Sequence, residues 1–254
     1  MEQHEREMKE VRRENMRRYH IGDGDPDCPI CEGLGYFRYD VPEDHPYFGR
    51  TFDCECRGEK LQARLEQISG LLPHEREKRF DRLVGPEVER IAGMAEAFTL
   101  SGRGWFTVYG GSGNAKSDLL MASVNLFRER FRQAAIYVRF ADLVNWVRDG
   151  FNEDAPDERA AARLGQLKHV GLLAIDELEK INETQWAAEL RFRLLDDRYR
   201  YGLEPSMRFL TLFAMNVPPE ALPEWLSSRM RDGRFICVEN TQGDARPDMR
   251  MEGE

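Results

Sequence analysis

The chain has 254 residues, 41 % apolar and 33 % charged, with a net charge of −9. That is room for one good-sized domain with a small appendage, and the acidic balance excludes a protein that coats nucleic acid through bulk charge. No apolar run approaches the roughly 18 residues that span a bilayer, and the acid-rich start Met1-Glu-Gln-His-Glu-Arg-Glu-Met8 resembles no leader peptide, so a cytoplasmic protein without membrane partners is expected.

In chain order, residues 1–24 form a charged leading segment. Within it, 2–19 mix acids and bases as a solvated helix with i,i+4 pairs would, either bare or docked on a partner. The turn-rich stretch Gly22-Asp-Gly-Asp-Pro-Asp27 opens a cysteine module at 25–58. Residues 59–95 read as a helical linker broken at Leu72-Pro73. From 96 to 240 strands alternate with helices, which predicts a parallel α/β sheet. Strands are expected at 105–109, 134–140, 170–175, 207–215 and 234–239. Helices are expected at 116–132, 140–150, 159–168, 184–200 and 219–231, with a loop at 152–158. The tail 241–254 is polar and expected to be disordered from Gln242.

Four of the five cysteines lie between Cys28 and Cys56. Cytosolic thiols stay reduced, so such a cluster more often binds metal than forms disulfides. Cys28-Pro-Ile-Cys31 and Cys54-Glu-Cys56, 22 residues apart, can surround Zn²⁺ tetrahedrally from two tight turns. His45 is a substitute ligand. The context of Cys28 argues against a redox pair, and Cys237 reads as core.

The run Trp105-Phe-Thr-Val-Tyr109 leads into Gly110-Gly-Ser-Gly-Asn-Ala-Lys-Ser117. A triphosphate needs inward N–H groups, a helix N-terminus and a cation. Gly110, Gly111, Ser112, Gly113, Asn114 and Ala115 supply the loop, Lys116 reaches the β- and γ-phosphates, and Ser117 ligates Mg²⁺. Ala115 stands where a glycine is usual; with a negative φ, alanine is allowed there and only its methyl must be accommodated. Val170-Gly-Leu-Leu-Ala-Ile-Asp176 reads as a strand buried on both faces. At its end Asp176 would hold Mg²⁺ through water and Glu177 would act on the attacking water. Asn216 ends a further apolar strand within reach of the same water. Arg229 closes a helix, either as a cation at a helix C-terminus or as a charge offered to a neighbouring subunit's γ-phosphate.

This motif order resembles the AAA+ ATPases, and within them the DnaC/IstB-like helicase loaders. The likeness rests on Val138-Arg-Phe-Ala-Asp-Leu-Val144, Leu173-Ala-Ile-Asp-Glu177, Asp197-Arg-Tyr199 and Ser228-Arg-Met-Arg231 over roughly residues 80–240. It implies a P-loop five-stranded parallel sheet sandwiched by helices, without a C-terminal lid, and an ATP-dependent self-oligomer. In that assembly Asn216 is the sensor amide and Arg229 the finger given in trans. Ala115 and Trp225 depart from the pattern. The resemblance also implies a zinc-bearing N-terminal part that contacts a replicative helicase.

The related initiator proteins grip single-stranded DNA through a helical insertion after the second strand. Here Trp146, Arg148 and Phe151 would stack bases and pair phosphates, with Arg139 and Lys168 adding charge. The aromatic residues read equally well as helix core. The expected function is loading of a replicative DNA helicase onto single-stranded DNA. The alternatives are an IstB-type transposition helper acting on duplex DNA, and an ATP-binding adaptor that has lost turnover.

Overall fold

The computed structural model describes residues 24–244 except 67, 70, 102, 153–155, 181–183 and 206–207. The helix expected at 2–19 and the tail beyond Asp244 lie outside the described residues. The chain divides into two compact units, one up to Arg64 with Arg132–Ala134, the other Leu65–Phe131 and Ala135 onward.

In the smaller unit β1 (Tyr36–Phe37) pairs antiparallel with β2 (Phe52–Asp53). The rings of Phe37, Tyr39, Tyr47 and Phe52 pack around this ladder with centroids 5.2–5.9 Å apart. Helix α1 (Glu55–Leu65) starts directly after Cys54, four residues earlier than expected. Glu55 in its first turn suits the positive end of the helix dipole. Cys56 therefore sits on a helix rather than in a second tight turn.

The helix expected over 59–95 is present at its two ends, up to Leu65 and from Pro86, and is missing between them. Between α1 and α2 (Pro86–Ser101) the described residues form two 3₁₀ turns, Glu75–Glu77 and Phe80–Arg82. The Asn125 amide donates to the carbonyls of Glu75 (3.1 Å) and Lys78 (3.0 Å), satisfying groups that a helix would have paired internally. Pro86 takes the first position of α2, where its missing N–H costs nothing.

Then come β3 (Gly104–Gly110), α3 (Lys116–Phe131), β4 (Ala135–Arg139), α4 (Phe140–Asp149) and α5 (Pro156–His169). They are followed by β5 (Leu172–Asp176), α6 (Gln185–Leu203), β6 (Leu210–Met215), α7 (Glu224–Met230) and β7 (Ile236–Asn240). The five strands form one parallel sheet in the order β4-β5-β6-β3-β7. Several boundaries differ from expectation; β6 and β7 begin later than expected, at Leu210 and Ile236, and α6 runs on to Leu203. Phe140 begins α4 instead of ending a strand, α5 starts inside the expected loop at Pro156, and Pro223 splits the helix expected at 219–231 into a 3₁₀ turn, Pro219–Ala221, and α7.

Side chains alternate across the sheet with period two. Phe106, Val108, Tyr137, Leu172, Ala174 and Leu212 share one core with Val88 and Ile91 of α2 and Leu119, Leu120 and Phe127 of α3. Trp105 faces the other way, against Tyr199 of α6, Phe213 and Phe235. Burial on both faces explains the near-continuous apolar strands. No helix among the described residues is long and apolar enough to cross a membrane.

Candidate functional site

The C-terminal ends of β3, β5 and β6 bring the predicted residues to one edge of the sheet, where open α/β sheets hold ligands. The loop 110–115 joins β3 to α3. Gly110 is required there, because a Cβ would collide with the carbonyl of Asn240 at the end of β7. At Gly113 (φ +73°) the same space is taken by the Asp244 carboxylate. Ala115 has φ +63°, so the condition that its φ be negative is not met. A left-handed alanine costs about 1–2 kcal/mol that glycine would not.

Lys116 is buried, and its ammonium donates to Gly110 O (2.9 Å), Gly111 O and Asn114 Oδ1 (2.8 Å). Burial lowers its pKa, partly opposed by the charges of Asp176 and Glu179. A desolvated cation inside a glycine loop fits an anionic ligand. Asn114 is tied to the last strand reciprocally. Its Nδ2 donates to Asn240 O (3.1 Å), and Asn240 Nδ2 donates to Asn114 O (2.7 Å).

On β5, Asp176 is buried. Its Oδ1 accepts from the Glu177 N–H (2.9 Å) and its Oδ2 from the Tyr137 hydroxyl (2.5 Å). Glu177 has φ +53° and is paired through Oε1 with Lys180 at 2.7 Å. Glu179 Oε1 accepts from the Asn216 N–H at 2.9 Å, while its Oε2 is buried without a hydrogen-bond partner among the described residues. Ser117 and Asp176 are the hard oxygen donors that Mg²⁺ prefers, and the orphaned carboxylate oxygen beside Lys116 suits a hydrated cation or its water.

Arg229 is enclosed. It pairs with Asp196, and its guanidinium lies 5.0–5.8 Å from the ring centroids of Tyr199, Trp225 and Phe192. Its Nη1 is nonetheless buried without an acceptor among the described residues. Trp146 is half-buried under Arg163, at 5.1 Å. Arg148 is exposed and bonds Asn145. Phe151 is 42 % exposed and meets the edge of Trp186. These three do not form one continuous cluster.

The four sulfurs of Cys28, Cys31, Cys54 and Cys56 lie within 4.8 Å of one another. Cys28 and Cys54 are 3.6 Å apart and Cys31 and Cys56 3.3 Å, too long for disulfides and close to the roughly 3.8 Å edge of a zinc–thiolate tetrahedron. Burial opposes ionisation of Cys28, but N–H groups of Cys31 and Ile30 outweigh it and draw that thiol down to about 7. Cys54 and Cys56 are pushed up, first by burial. Only a cation lets all four ionise together. His45 lies outside the cluster, its Nδ1 accepting from the Tyr47 N–H (3.2 Å). Cys237 is half-buried on β7 and raised by burial to about 11, as an inert strand residue would be.

Sequence reasoning did not find Tyr137, Glu179, Lys180, Asn240 or Asp244. Tyr137 carried no signal beyond its place on an apolar strand. Glu179, Lys180 and Asn240 belong to no motif, and only the fold brings them to the site.

No protein-family model and no curated protein matches the chain. Solved structures do. One is the replication initiator DnaA bound to AMPPCP and single-stranded DNA, with TM-score 0.56 and 19 % identity over 68 % of this chain and 52 % of that one. Another is domain III of Thermotoga maritima DnaA, with TM-score 0.55 and 17 % identity over 68 % and 69 %. A third is DnaI, with TM-score 0.52 and 16 % identity over 69 % and 98 %. The chain spans about half the length of the first DnaA structure. At these identities the likeness is one of fold.

Proposed function

We propose that the chain is an ATP-dependent loader that delivers a replicative DNA helicase onto single-stranded DNA. The observation that carries the reading is the meeting of Lys116, Asp176, Glu177 and Asn216 at one sheet edge, on a fold shared along almost the whole length of DnaI. ATP and Mg²⁺ supply the phosphoanhydride and the charge that polarises it. Lys116 and the N–H groups of 110–115 hold the phosphates, while Ser117 and Asp176 face the metal. Glu177 orients and deprotonates the attacking water once it leaves Lys180, and Asn216 reports the γ-phosphate.

Arg229 acts on a neighbouring subunit by exchanging Asp196 for that subunit's γ-phosphate. Its unsatisfied Nη1 supports this role. The four cysteines hold a structural zinc, and the N-terminal part holds the helicase. Trp146, Arg148 and Phe151 contact the strand. Affinity capture with ATP and Mg²⁺ tests the reading. A hexameric helicase should be enriched and then lost when residues 1–58 are deleted. Capture of a transposase, or of no helicase, overturns it.

A second reading is favoured by two observations. Ala115 is strained, and Glu177 is tied to Lys180. Both suit an adaptor that binds ATP and turns it over slowly. Ala115→Gly raising turnover about tenfold or more would support that reading, since tenfold corresponds to about 1.4 kcal/mol, within the strain released.

A further inference from the structure

Tyr137 is 3 % exposed and sits on β4, opposite Ala174 and diagonal to Asp176 on the same face of the sheet. Its hydroxyl donates to Asp176 Oδ2 at 2.5 Å, and the Ser117 side chain lies near enough to the same phenolic oxygen to favour its charged form. One phenol therefore joins the end of β5 to the first turn of α3. A phenol can donate once while accepting. A carboxylate has about four acceptor positions, so Asp176, with two engaged here, keeps others for metal-bound water. A phenylalanine would fill the same core but leave Asp176 Oδ2 without its donor.

We propose that Tyr137 is a positioning residue for the metal, holding the Asp176 carboxylate and the Ser117 hydroxyl face to face so that both address Mg²⁺ on a nucleoside triphosphate. The inference rests on the nucleotide reading of the site. Outer partners of metal ligands change metal affinity by about 10–100-fold when removed.

The test is binding of a fluorescent ATP analogue to the full chain, with Mg²⁺ titrated or with EDTA present. Tyr137→Phe should bind the analogue in EDTA as wild type does, and should need about tenfold more Mg²⁺ for half-saturation. In an Asp176→Asn background the same change should have no further effect on the Mg²⁺ requirement. An unchanged Mg²⁺ requirement, or equal weakening with and without Mg²⁺, overturns the proposal and leaves Tyr137 as core.

Should Tyr137→Phe fail to fold, Tyr137→3-fluorotyrosine keeps the hydroxyl. Its ¹⁹F resonance should move when Mg²⁺ joins the triphosphate-saturated protein, and a resonance indifferent to Mg²⁺ overturns the idea. Wild type that binds no analogue under either condition removes the nucleotide reading, and this inference falls with it. Wild type that binds while the variant matches it in Mg²⁺ dependence removes only this inference.

Discussion

Arg198 is fully buried on α6 and has no carboxylate partner among the described residues. Its guanidinium instead donates to Leu167 O (3.0 Å), Lys168 O (3.2 Å), Val170 O (2.8 Å), Leu210 O and Thr211 Oγ1 (2.8 Å). It thereby pins the end of α5 and the starts of β5 and β6, the two strands that deliver Asp176 and Asn216. Burial draws its pKa down to about 9, a sign of how costly the desolvated cation is.

Arg198→Met keeps most of the volume and strips the donors from four carbonyls. Each buried acceptor left unpaired costs about 1–3 kcal/mol. Releasing the buried cation returns several kcal/mol, so the net loss should be about 3–5 kcal/mol, as when one side of a buried charged network is deleted. With a urea slope of about 2–3 kcal/mol/M for a domain of this size, the midpoint should fall by roughly 1–2 M. Arg198→Lys should fall between, since an ammonium cannot fork across two strands. A loss under about 1 kcal/mol at unchanged slope would refute the reasoning, because the carbonyls would then find other donors at little cost.

Lys116→Ala should weaken ATP-analogue binding by about 100-fold or more while the urea midpoint stays close to wild type; unimpaired binding counts against the phosphate cradle. Glu177→Gln should bind the analogue normally and hydrolyse ATP about 10²–10⁴-fold more slowly, read by phosphate release; wild-type turnover removes its role. Burial lowers the Lys116 pKa, so the folded state binds fewer protons than the unfolded one, and free-protein stability rises with pH from the lowered pKa towards the ordinary 10.5. A bound triphosphate pulls that pKa back up. Binding at alkaline pH should therefore take up protons, seen as calorimetric heats that depend on buffer ionisation enthalpy; buffer-independent heats would contradict it. Purified protein should carry about one zinc per chain. Chelation should erase the resonances of 24–58 while leaving those of the parallel sheet, and protein prepared without chelator that holds no zinc would exclude the four-cysteine site.

The sheet was legible because buried parallel strands leave apolar runs and the glycine loop marks where one of them ends. The Asp-Glu pair after Ile175 was legible for the same reason, as charge is rare at the end of such a run. The linker was not. Residues 66–85 carry helix-like composition, but the carbonyls of Glu75 and Lys78 are claimed by Asn125 from α3, a tertiary contact with no local signature. The left-handed φ of Ala115 was equally hidden, since composition does not report a backbone angle. The enclosure of Arg229 was not legible, because its partners Phe192, Asp196 and Tyr199 lie 30 or more residues earlier on another helix.

The reciprocal amide pair between Asn114 and Asn240 joins the phosphate loop to the outermost strand. β7 is an edge, held on one side by β3 alone, and edge strands are the first to fray and the readiest to accept a foreign strand. When β7 loosens, Asn114 loses both of its ties and the loop around Lys116 loses its outer wall. Local unfolding of the sheet margin is thus transmitted as a change of shape at the loop, without any hinge. Exchange of the Asn114 side-chain amide protons should accordingly keep pace with exchange at the N–H groups of Val238 and Asn240, sites separated by half the chain and opened by one event.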